Sequence, residues 1–320
     1  MRTGHGPKVL LFSLIAALAL VTACGTVQPQ AKVEARTTID SLVTTEWLSQ
    51  HLNDPDLVVI DCTVRMERDK DGGFRSISGR ADYEKGHIPT AAFADLTGDL
   101  ADGSSPFSFA LPTPQQFAAA MGALGIGNDS RVVLYSAGNP DWAARVWWML
   151  RWVGFDRAAM LDGGLKAWTA EGRPLSTDPV ARSAKRLTVS VRSGLIADRD
   201  EVRAAIGSKA VTLVDAMPAA SFEGKFALYA RPGHIPGAIS VPSQSLLGES
   251  GRYLATEALA AMHTGDRAGR VITYCGGGIS ASNNAFVMTR LGFTDVAVYI
   301  ASLQEWAADP ANPMEVAPPE

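Results

Sequence analysis

Apolar runs of three to six residues alternate with longer stretches of mixed polarity along most of this chain. The runs at 58–60, 132–135 and 159–161, and later at 212–214, 271–274 and 296–299, are continuous rather than alternating. A strand that is apolar on both faces belongs in a parallel sheet covered by helices on both sides. Between the runs, 45–52, 113–124, 142–153, 256–262 and 282–291 carry helical patterning. The predicted class is α/β.

The order of these segments repeats. VVID at 58–61, GHIP at 86–89, RVVLYSAG at 131–138 and RWVGFDRAAMLDGGLKAW at 151–168 are answered by TLVD at 212–215, GHIP at 233–236, RVITYCGG at 270–277 and RLGFTDVAVYIASLQEW at 290–306. Ser136 to Trp168 spans 32 positions and Cys275 to Trp306 spans 31. Two copies of one domain follow, over 39–180 and 194–312, joined by the polar segment 175–193 with a boundary near 180. Helix 142–153, with Trp147, Trp148 and Trp152 among apolar neighbours, is expected to be buried between sheet and neighbouring domain and not to bind a ligand. The segment 65–80 is charged and glycine-containing, and is expected as an exposed excursion.

The first 38 residues stand apart. Arg2 and Lys8 precede an apolar run from Val9 to Val21, which is closed by Thr22, Ala23 and Cys24. The run is too short for a stable membrane-spanning helix, and the pattern is that of an export signal over 1–23. The small-residue ending resembles a bacterial lipobox, which implies lipid attachment at Cys24, a polar tether over 24–38, and a protein held at the cell membrane by lipid, outside the cytoplasm. The net charge of −4, from 29 basic and 33 acidic residues without a basic run, gives no footprint for nucleic acid.

Cys62 and Cys275 are then the remaining thiols, too few for a disulfide scaffold, and neither lies in a metal-binding pattern. No metal or cofactor is called for. Cys62 follows an apolar strand and is expected to be a small buried hydrophobe. Nothing in the sequence sets the geometry for a Cys62–Cys275 bridge.

Duplication supplies an internal control: features in both copies are scaffold, and features in one copy are candidates for chemistry. His87 and His234 share GHIP turns, Asp61 and Asp215 end equivalent strands, and Trp168 and Trp306 recur, so all six are expected to be structural. The copies part at the loop, where Ser136 stands in the place of Cys275 and 137–141 (AGNPD) in the place of 276–280 (GGGIS). A cysteine between a buried strand and a helix start, followed by Gly276, Gly277, Gly278, Ile279 and Ser280, can have several backbone N–H groups turned toward its sulfur. Such a setting is expected to lower the thiol pKa and make a nucleophile, with Ser280 and Ser282 as further donors.

At these residues the chain resembles the tandem rhodanese-domain sulfurtransferases, that is, the thiosulfate and 3-mercaptopyruvate sulfurtransferases. The resemblance covers about residues 40–310 and is carried by DCTVR, YEKGHIPTAAFADL, LYSAGNPDWAARVWWMLRWVGFDRAAMLDGGLKAW, RPGHIPGAISVP and YCGGGISAS. It implies two rhodanese-like domains, the N-terminal one inactive. In the C-terminal one, Cys275 takes sulfane sulfur from a small-molecule donor as a persulfide held by the amides of Gly276 to Ser280. The acceptor implied is cyanide, a thiol or a reduced thioredoxin-like protein.

The small residues after Cys275 are similar to the mercaptopyruvate type, whereas thiosulfate users carry basic residues there. Both types commonly place an arginine after the strand-ending Asp, where this chain has Ser221. Arg231 is the candidate to bind the donor anion in its stead, or else is a solvated surface charge. A phosphatase on the same fold requires an arginine six residues after its cysteine, where Ala281 stands. The alternative function is a persulfide carrier or binding module on the cell surface that does not turn over.

Overall fold

The computed structural model describes Met1, Thr3, Gly4 and residues 39–68, 70 and 74–316. Cys24, the export signal and the tether fall almost wholly outside the described residues. Among the described residues no helix is long and apolar enough to cross a membrane.

The described residues from 39 to 316 belong to one compact unit holding both copies. In the first copy, β1 (Leu42–Val43), β2 (Leu57–Asp61), β5 (Ala92–Phe93), β6 (Arg131–Tyr135) and β7 (Ala158–Leu161) make a sheet in the order β1-β7-β6-β2-β5. In the second, β8 (Ile196–Ala197), β9 (Val211–Asp215), β10 (Ile239–Ser240), β11 (Arg270–Tyr274) and β12 (Asp295–Tyr299) make a sheet in the order β10-β9-β11-β12-β8. Read from opposite edges, the two orders are the same. Every pairing in both sheets is parallel. The register repeats too, with Asp61 opposite Tyr135 and Asp215 opposite Tyr274.

The shared motifs are scaffold, in matched pairs. The Tyr135 hydroxyl accepts from Ile88 N at 3.2 Å, and the Tyr274 hydroxyl from Ile235 N at 3.0 Å. Trp168 Nε1 donates to Pro174 O at 2.8 Å, and Trp306 Nε1 to Pro313 O at 2.9 Å. His87 and His234 are buried, with each Nδ1 against a backbone carbonyl, of Tyr83 and Phe222 respectively. Locally, helix Pro114–Ala123 starts where Thr113 and Gln116 form a reciprocal capping box with Pro at N1, worth about 1 kcal/mol.

One apolar core runs across both copies. Its seam is the pair of helices Asp141–Trp152 and Ile279–Arg290, with Trp147 and Phe286 meeting edge-on at a centroid distance of 4.9 Å. The aromatic helix is buried as its composition predicts; full burial of one such ring stabilises by roughly 2–3 kcal/mol. The charged segment after Asp61 is largely exposed, as expected, with a regularity the sequence did not indicate. It folds as an antiparallel hairpin of β3 (Val64–Arg68) and β4 (Phe74–Ser78), separate from the sheets.

Asp215 carries a pH dependence. Burial pushes its carboxyl up to about 6 from 3.8, against the Met217 amide and the Tyr274 hydroxyl. An acid raised on folding stabilises fully below its unfolded value, and that stability is lost as pH rises through its folded value. The shift corresponds to about 3 kcal/mol between pH 3.8 and about 6. Asp215→Asn is therefore expected to remove the largest destabilising contribution to the urea midpoint over this window, with Asp61, which burial also raises, acting in the same direction. An unchanged decline would assign it elsewhere.

Candidate active site

The loop after β11 leaves the carboxyl end of the central strand of the second sheet, the position where open parallel sheets place ligands. Its backbone is pinned from the far side. Cys275 N donates to Ser302 Oγ at 3.1 Å, Leu303 N to Cys275 O at 3.0 Å and Gln304 N to Gly276 O at 3.0 Å. Gly278 has φ +77 and opens the helix Ile279–Arg290, three residues earlier than the sequence pattern indicates. The left-handed turn needs glycine, and a side chain there would crowd Ile300 O at 2.9 Å. Ile279 and Ser280 are thus the first helical turn, with Ile279 buried.

The amides of Ala281, Gly277 and Gly278 act on the Cys275 sulfur and pull its thiol down. Of the cradle expected from Gly276 to Ser280, Gly277 and Gly278 belong to this set, joined by Ala281 from beyond the loop proper. The expected hydroxyl donors are elsewhere. Ser280 Oγ donates to Asp141 Oδ2 at 2.7 Å, and Ser282 Oγ to Gly278 O at 2.7 Å, so neither is aimed at the sulfur.

The accessible, acidified thiol expected from the sequence is also corrected. Cys275 is only 3% exposed. Burial drives its thiol above the ordinary cysteine range, more than the three amides pull it down, and the Asp141 carboxylate adds to the rise. The cover comes from segments remote in sequence. The Tyr229 hydroxyl lies so close over Gly276 that any side chain there would overlap it, and burial with the neighbouring thiol raises the Tyr229 phenol. On the other side, Ser108 O accepts from Gln304 Nε2 at 3.1 Å, and both groups line Gly277. Phe109, at φ +57, follows with its ring 5.3 Å from Trp142.

Arg231 is not free to bind a donor. Its guanidinium donates to the carbonyls of Ala307, Trp306, Asp309 and Asn312 at 2.7–3.1 Å. It clasps the 306–312 turn, a role invisible in sequence because the acceptors are main-chain atoms some 80 residues away. Ser221, at the place of the expected arginine, is buried. Cys62 and Cys275 are both free and buried, and burial with the Asp61 charge puts Cys62 far above the ordinary thiol range. In the first copy Ser136 turns its hydroxyl onto Asn139 O at 2.6 Å, which closes the equivalent loop on itself.

The residues that sequence reasoning missed lie in that first copy. Asp141 Oδ1 accepts from Ser243 Oγ at 2.5 Å and from Asn283 Nδ2 at 2.8 Å, while its Oδ2 takes Ser280. One turn on, Arg145 reaches the carbonyl of Gly278. The signal was present in AGNPD, which differs from its counterpart GGGIS at four of five positions, Asp141 among them.

Comparison with known proteins agrees with this architecture. The rhodanese-like domain model matches residues 44–171 and 198–309. The 3-mercaptopyruvate sulfurtransferase of Escherichia coli K12 is 31% identical over 276 residues, covering 84% of this chain and 96% of that protein. The thiosulfate sulfurtransferase of Gallus gallus is likewise 31% identical over 276 residues, with 83% and 93% covered. The crystal structure of the 3-mercaptopyruvate sulfurtransferase SseA from Escherichia coli superposes with a TM-score of 0.71 at 30% identity, over 82% of this chain and 98% of that one. With two matched domains spanning most of its length, the chain belongs to the rhodanese family, alongside the sulfurtransferases to which it is similar.

Proposed function

We propose that this protein is a sulfurtransferase that carries sulfane sulfur on Cys275. The observation that carries the reading is a cysteine sulfur under three main-chain amides at the end of the central strand of the second sheet. The Cys275 thiolate attacks the donor's transferable sulfur, the thiol sulfur of 3-mercaptopyruvate or the outer sulfur of thiosulfate, and a persulfide S–S bond forms. With 3-mercaptopyruvate the C–S bond breaks and the leaving enolate takes a proton to give pyruvate; with thiosulfate an S–S bond breaks and sulfite leaves. An acceptor nucleophile, a thiolate or cyanide, then attacks the outer sulfur and returns the Cys275 thiolate. Inward amides fixed before reaction favour each anionic sulfur without reorganisation. The first copy, with its serine-closed loop, is inactive.

Incubation with either donor plus cyanide tests this by thiocyanate release, together with one added sulfur atom on the Cys275 peptide by mass spectrometry. Absence of both sinks the reading. Persulfide without turnover supports the carrier, a reading favoured by the buried thiol and the committed Arg231.

We place the activity outside the cytoplasm on a lipid at Cys24, supported by the sequence of residues 1–38. Labelled palmitate is expected in the native chain and not in Cys24→Ala; equal labelling excludes the anchor.

A further inference from the structure

Arg145 is an unusual charge. It belongs to the first copy, is 1% exposed, and sits in the seam between copies. Its Nη2 donates to Phe109 O at 2.8 Å and its Nη1 reaches Gly278 O at 3.5 Å, while its Nε has no partner among the described residues. Its carbon tip lies 5.3 Å from the Trp148 ring. No carboxylate pairs with it among the described residues. The carboxylate one turn away, Asp141, is occupied by Ser243, Asn283, Ser280 and Asn139. A buried guanidinium without a counter-ion is costly, and arginine does not escape that cost by losing its proton at neutral pH.

The missing anion is close by. Gly278, whose carbonyl Arg145 touches, also turns its amide to the Cys275 sulfur. A side chain on Gly278 would come within 3.1 Å of Arg145 Nη1, so the cation is packed against the loop itself. We propose that Arg145 is the buried counter-charge of the sulfur anion on Cys275, so that the inactive copy supplies the positive half of an ion pair completed only when the sulfur ionises.

Two further facts support it. Burial pushes Arg145 down to about 10, and Cys275 is the one ionisable group that acts back on it. Among the described residues, the titratable groups coupled to Cys275 are Asp141 and Arg145 on helix Asp141–Trp152 and Tyr229 on the segment beside Gly276. Asp141 and Tyr229 oppose or merely accompany a negative sulfur. Arg145 alone among them favours it, and it acts as a positioning residue through charge and through Gly278, not by touching the donor.

The inference rests on Cys275 working as an anion, as the proposed function requires, yet its test reads the thiol and not turnover. The full-length protein is alkylated with iodoacetamide from pH 6 to 11, and labelling of the Cys275 peptide is followed by mass spectrometry. Arg145→Met is expected to move the pH midpoint of alkylation up by about 1 unit or more, which is about tenfold slower labelling at neutral pH. Arg145→Lys, which keeps the charge and loses the fork, is expected to fall between Met and the native residue. Identical midpoints in folded native, Lys and Met proteins overturn the proposal. Should Arg145→Met not fold, Arg145→Gln takes its place, with the order Gln above Lys above Arg required. Shifted midpoints without thiocyanate production would keep the ion pair and reject the sulfurtransferase.

Discussion

Cys275→Ser is expected to keep the fold and lose sulfur transfer by about 10³-fold or more, the scale on which removing a covalent nucleophile acts. A serine oxygen fits the same cradle, so the substitution leaves no cavity of consequence in the loop. It cannot, however, carry sulfane sulfur. Thiocyanate release and intact mass measure the two halves of the claim. Cys62→Ser is the matched control, and is expected to retain transfer because its buried thiol lies far above the ordinary range and hangs on the other sheet. Transfer surviving Cys275→Ser, or lost equally in Cys62→Ser, would move the chemistry to another group.

Asp141→Ala is expected to produce the largest loss of stability, about 3 kcal/mol or more by urea denaturation. The alanine removes the acceptor shared by Ser243, Asn283, Ser280 and Asn139, and leaves several of these donors in the seam between copies without a partner. Freed of Asp141, Ser280 also loosens the first turn of the helix that carries the cradle. Asp141→Asn keeps one acceptor toward Ser243 and Asn283 and is expected to cost less than half as much. A loss below about 1 kcal/mol for alanine would show that the seam repacks around the vacancy.

The six longer strands of the two sheets, β2, β6, β7, β9, β11 and β12, were legible because each was stated twice, whereas the two-residue edge strands were too short to leave a pattern. Continuous apolar runs gave the parallel sheets, and matched turns at GHIP gave the correspondence of the copies. The hairpin of β3 and β4 escaped because its strands have no buried face to impose alternation, Val64 being the one buried residue of the ten. Cys275 was legible as the odd residue of a repeated loop. Its burial was not, since Tyr229 and Ser108 reach the neighbouring Gly276 and Gly277 from distant segments that no local pattern ties to the loop. The rule that shared features are scaffold and unique ones chemistry held for the histidines and tryptophans. It did not point to Asp141 and Arg145, which stand in the copy that lacks the loop cysteine yet reach the loop of the copy that has it. Arg231 was chosen for its charge near a conspicuous turn; only the folded chain reveals carbonyls converging on it.

The Tyr229 hydroxyl lies against Gly276, and Cys275 beside it is 3% exposed. Thiol reagents of matched reactivity are accordingly expected to modify Cys275 in order of girth, the slimmest first; equal rates across the series would show that the cover offers no obstacle.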